Sequence, residues 1–147
     1  MAINTSKVVV AGLAAGVVQN VLGLAGFGLL LSGRFNAEMD AVVPGLSTKM
    51  ATTANTVMTV VSSFVIGWLL VWLYAAMRPR FGPGMKTAAY AALVVWLCGD
   101  LFYLDNYQSG MMSVATYCYA AVVSAVTLVA SAGVGGMIYK EEGSATT

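Results

Sequence analysis

The sequence predicts an all-α integral membrane protein, a four-helix bundle forming a single transmembrane domain over residues 1–147. Three observations predict it. Hydrophobic residues make up 59% of the chain and charged residues only 9%, against about 25% charged in soluble globular domains. Mean hydropathy is +0.82. Finally, four stretches are long enough to cross a bilayer, which takes roughly 20 apolar residues at 1.5 Å rise each. Backbone in lipid finds no water to bond, so such spans must pair their own N–H and C=O groups, as helices do. A barrel would need alternating polar and apolar positions, and these runs are apolar on every side.

The first span covers residues 8–31, "VVVAGLAAGVVQNVLGLAGFGLLL", and is closed by "SGRFN". It is longer than the apolar core of a signal peptide and carries Gln19 and Asn20 mid-run, so it reads as a retained helix. The second lies within 52–77, because Pro79 disfavours the helical conformation at Arg78 and ends the helix there. Gly82-Pro83-Gly84 then reverses the chain into a third span over 87–104, making the second and third antiparallel neighbours. The fourth runs over 111–139.

The charges orient this bundle. Arg78, Arg80 and Lys86 sit around the Gly-Pro-Gly turn, whereas "DLFYLDNYQSG" at the opposite face holds Asp100 and Asp105 and no basic residue. By the positive-inside rule the basic turn is cytoplasmic, and four spans place both termini there too, in agreement with Lys7 and Lys140. The stretch "SGRFNAEMDAVVPGLSTK" falls outside as a loop of mixed charge. Arg78, Arg80 and Lys86 read as a topology anchor and anionic-lipid contact, each worth about 1 kcal/mol near such a surface. A net charge of +1 gives no support for nucleic-acid binding.

The stretch "WLYAAMRPRFGPGMKTA", followed by an apolar run with a Trp ("ALVVWL") and a last helix ending "GGMIYKEE", resembles a group of small bacterial four-helix membrane proteins of unknown function. The match is strongest over Trp68 to Leu97. It implies a multi-pass protein of the bacterial inner membrane and carries no chemistry with it.

Absences narrow the function. The chain has no histidine, which removes His-ligated haem, chlorophyll and zinc, and histidine general-base catalysis. No lysine lies within a span to form a retinal Schiff base, no Gly-rich phosphate loop follows a strand, and no nucleophile-base pair is visible. The sequence therefore predicts no enzyme and no cofactor. Cys98 and Cys118 fall roughly 15 Å apart in depth, too far for a disulfide, and each reads as a small buried hydrophobe.

Counting inward from the cytoplasmic flanks, Asn20 lies about 13 residues from Lys7, Ser63 about 15 from Arg78, Asp100 about 14 from Lys86 and Thr127 about 13 from Lys140, or about 20 to 22 Å deep in each case. These four residues predict a polar layer across the bundle, with Gln19, Ser62 and Ser124 nearby. Asp100 is an intramembrane ionisable group, by default a functional hypothesis, with Asn20 or Ser63 as its expected partner. The same polar residues also serve as hydrogen-bonding glue between helices. Gly12 and Gly16 predict close helix packing, inside the bundle or onto a partner. Trp72 and Tyr74, then Phe102, Tyr103 and Tyr107, read as the two interfacial belts.

Two function classes stand. One is a non-catalytic accessory subunit whose helices pack against a larger bacterial membrane complex, respiratory or photosynthetic. The other is a small oligomeric transporter or channel moving protons or a small solute past Asp100 and Asn20. Expected partners are the lipid bilayer and other membrane subunits or further copies of the chain.

Overall fold

The computed structural model describes residues 3–139. Its described elements are helical: α1 Thr5–Gly23, a π-helical segment Leu24–Leu31, α2 Ser32–Val42, α3 Leu46–Met50, α4 Thr53–Phe81, α5 Met85–Gln108 and α6 Val114–Ile138. Four helices are long and apolar enough to cross a membrane: the continuous Thr5–Val42 and then α4, α5 and α6. Their ends differ from the sequence expectation in an instructive way.

The first helix does not stop at "SGRFN". Ser32, Arg34 and Asn36 are polar, but none of the five residues forbids helical backbone, so they mark a change of surroundings and not an end of the helix. The stop comes at Val43, extended at φ −134 and ψ 108 because Pro44 follows it, and at Gly45, which takes a left-handed φ of 78. Likewise Pro79 lies inside the last turn of α4. A proline there removes one N–H near the end of the ladder, and the bias it imposes on Arg78 is a preference, not a prohibition. Gly82, at φ 81, ends the helix, and its N–H donates to the Arg78 carbonyl at 2.9 Å. The third helix runs on past Leu104 to Gln108, so the predicted outer loop shrinks to the turn before Ser113.

α1 packs antiparallel on α4 with its glycines at the contact. A Cβ on Gly12 would meet Trp68, whose Cα lies 2.9 Å from that position, and a Cβ on Gly16 would lie 2.9 Å from the Phe64 Cα. From the facing helix, a Cβ on Gly67 would come within 2.5 Å of the Gly16 nitrogen and 2.6 Å of the Gly12 carbonyl oxygen. Only backbone on both sides allows this approach, which exposes a long line of atoms to dispersion contact where lipid supplies no hydrophobic drive. The Gly12 and Gly16 face is thus occupied within the chain. α6 packs on both α1 and α5, with Ala132 and Leu128 in the same core as Ala88, Ala91 and Ala92.

The tight core occupies one half of the bundle, at the end where Asn4, Gly84 and Tyr139 meet. There Tyr74 is buried, edge-on to Tyr139 with ring centroids 6.2 Å apart, and its hydroxyl accepts from the Gly84 N–H at 3.1 Å. Tyr74 is therefore a core residue and not part of an interfacial belt. In the other half α4 is left uncovered: every one of its residues from Thr53 to Ser62 is exposed. Cys98 and Cys118 are also exposed, against expectation; they lie on outward faces of α5 and α6, where depth counting gives no information on rotation.

Candidate functional site

The polar layer expected from depth counting does not assemble. Each of its members bonds elsewhere. Asn20 donates to the Gly16 carbonyl at 2.9 Å and reaches the Val60 carbonyl on α4 at 3.5 Å. The Ser63 hydroxyl donates to Thr59 O at 3.0 Å and that of Thr127 to Val123 O at 2.8 Å. Asp100 accepts from the Tyr117 hydroxyl, not from Asn20 or Ser63. Tyr117 is ten residues from Thr127, about 15 Å along α6. The counting failed because it set Lys86 level with Lys140, which lies outside the described residues. A Cβ on Gly133 would lie 2.9 Å from the Met85 methyl, so α5 begins beside Gly133 and reaches farther along α6 than the count assumed.

A different constellation lies between the helices. A cavity of about 190 Å³ is lined from α1 by Gln19, from the π segment by Phe27, from α4 by Ile66, from α5 by Trp96, Asp100 and Tyr103, and from α6 by Ser124. Its walls are fixed. The Trp96 indole N–H donates to the Ala121 carbonyl at 2.9 Å and reaches the Ser124 hydroxyl at 3.1 Å. Gln19 accepts from Ser131 at 2.9 Å. Of the expected layer, Asp100 alone faces this cavity, and Gln19 and Ser124 join it.

The second feature is on α4. Thr52, Thr56, Thr59, Ser63, Ile66 and Leu70 follow one another at spacings of four and three, the seam of a helix that packs against others. At its inner end Leu70 is fully buried and Ile66 borders the cavity. At its outer end Thr52, Thr56 and Thr59 are exposed, and the Thr56 and Thr59 hydroxyls bond back to the carbonyls four residues earlier, at 3.2 and 2.9 Å. The core face of α4 therefore continues outward as a hydroxyl-bearing face, half-buried at Ser63 and exposed at Thr59, Thr56 and Thr52. The 4-3-4-3-4 spacing is visible in the sequence, but charge-free length alone does not bring it out.

At the basic end, Arg78 borders a second cavity of about 190 Å³ with Tyr74, Gly84, Met85 and Tyr139. Arg80 and Lys86 are exposed, and the Lys86 ammonium lies 5.9 Å from the Tyr90 ring centre. At the opposite end α2 closes onto α6. Arg34 lies 5.1 Å over the Tyr119 ring, and Glu38 holds Ser113 and Thr116. Glu38 looked like a loop charge in the sequence, and its role depends on α2 being helical.

No family model, curated protein or solved structure matches the chain. The class it defines is that of a small protein, helical throughout its described elements, with four helices apt for a membrane, a closed core at one end and an uncovered stretch of α4 at the other.

Proposed function

We propose that the chain is a multi-pass protein of the bacterial inner membrane, with its Arg78, Arg80 and Lys86 turn and both termini on the cytoplasmic side, and that it serves as a non-catalytic accessory subunit. The observation that carries this reading is the unoccupied outer half of the α4 seam. Thr56, Thr59 and Ser63 continue a face that is core further in, and small hydroxyl side chains are what membrane helices use to approach and bond one another. Left against lipid, that face gains nothing from its hydroxyls; against a helix of a larger assembly it completes the bundle. The four apolar helices and the basic turn support the membrane placement, and the resemblance of the turn supports the bacterial one. A path for protons from Asp100 to Asn20 loses support, since the two residues bond to different helices and share no contact.

The test is site-specific cross-linking in native membranes with Cys98 and Cys118 changed to Ser. A cysteine at Thr59 is expected to cross-link to a second protein, whereas one at Val61, on the opposite side of α4, is not. Equal yields at the two positions, or a product made only of this chain, would overturn the accessory reading.

A further inference from the structure

Asp100 is chemically unfinished. One carboxylate oxygen takes the Tyr117 hydroxyl, and no basic side chain is paired with the group among the described residues. Asp100 is half-buried on an apolar span, and a carboxylate there is stabilised by a counter-charge. The surroundings match one kind of counter-charge in particular. Phe27, Trp96 and Tyr103 line the same cavity as Asp100, and aromatic faces attract organic cations, more strongly once water is removed. Ile66, Val95 and Leu128 complete an apolar wall. The volume of about 190 Å³ sets the size, because an apolar cavity of about 150 Å³ takes a single benzene ring.

We propose that this cavity is a binding site for a small lipophilic ammonium ion, a protonated amine carried on one ring or a short branched chain, with Asp100 as its counter-ion. The ring or chain lies against Phe27, Trp96 and Leu128, and the ammonium faces the carboxylate. The Trp96 bonds to Ala121 and Ser124 fix that indole before any ligand arrives, so its ordering costs nothing on binding. The proposal does not rest on what docks on α4; Ile66 is the seam residue that also lines the cavity.

The probe is phenethylammonium, titrated at pH 7 into the full chain in phosphatidylcholine nanodiscs, with empty nanodiscs subtracted and 2-phenylethanol as its neutral counterpart. Saturable binding is expected, with the ammonium held about tenfold or more tighter than the alcohol, a difference of about 1.4 kcal/mol. Asp100→Asn is expected to bring the ammonium down to the level of the alcohol. Ala121→Leu, which narrows the cavity without altering a charge, is expected to weaken saturable binding of both. Equal affinity for ammonium and alcohol on the unaltered protein overturns the proposal, and this comparison needs no variant to fold. Unchanged ammonium affinity in Asp100→Asn overturns it as well.

Discussion

Glu38 of α2 and Ser113 at the start of α6 are 75 positions apart and share two hydrogen bonds: the Ser113 N–H donates to Oε2 at 3.0 Å and its hydroxyl to Oε1 at 2.6 Å. The Thr116 hydroxyl adds a third at 2.7 Å. A helix start leaves its first N–H groups without partners, and an anionic acceptor there also suits the helix dipole. Glu38 therefore ties the end of the first helix to the last one. Glu38→Ala is expected to cost about 1 kcal/mol, the usual worth of a cap, read as a lower thermal midpoint in detergent. Glu38→Gln, which keeps the acceptor oxygen, is expected to fall between the two; a Gln variant no better than Ala would make the charge the whole effect.

The glycine contact between α1 and α4 gives a sharper test. Gly67→Val must push a branched side chain into the backbone of Gly12 and Gly16, where even a Cβ lies 2.5 Å from a nitrogen. Overpacking of this kind costs about 1–3 kcal/mol or more, and cooperative unfolding in mixed micelles should shift accordingly. Gly23→Ala is the control. Nothing lies within 4 Å of its Cβ position, so the change should be neutral or stabilise by up to about 1 kcal/mol through helix propensity.

Composition and charge-free length were enough to place four helices, because a bilayer-length apolar run has few alternatives. They did not place the helix ends. Leaving the apolar region and leaving helical backbone are separate events: the first is signalled at Ser32 by polarity, the second at Val43 by Pro44 and Gly45. Gly12 and Gly16 were legible as packing residues since only a missing side chain lets backbones touch. The polar layer was not, because it required the relative axial shift of α5 and α6, which depends on side-chain packing such as that of Met85 beside Gly133. The cavity around Asp100 depends on the same shift and on helix rotation, and a single sequence encodes neither explicitly.

Trp96 offers a check on that shift. Its indole N–H reaches Ala121 and Ser124 on α6, so Trp96→Phe deletes a donor while keeping most of the ring. Leaving the Ala121 carbonyl without this partner should cost about 1–2 kcal/mol, with a weaker response in Ser124→Ala, whose hydroxyl is the second acceptor. Because both variants act on one shared contact, their double variant should be less than additive. Additive losses in mixed-micelle unfolding would mean that Trp96 and Ser124 do not meet, and with them the registry of α5 on α6 would fall.

The orientation of the bundle rests on Arg78, Arg80 and Lys86, and single-cysteine labelling decides it. With Cys98 and Cys118 replaced by Ser, a cysteine at Lys86 should resist a membrane-impermeant maleimide in intact cells and react after permeabilisation. A cysteine at Ser109, in the turn between α5 and α6, should react in both. Cytoplasmic basic residues hold a loop inside both by resisting translocation and through attraction to anionic headgroups. Changing Arg78 and Arg80 together to Ala should therefore leave a mixed population in which part of the Lys86 position becomes reachable from outside. If Lys86 labels fully in intact cells with the arginines in place, the bundle is inverted and the Glu38 and Ser113 end lies on the cytoplasmic side.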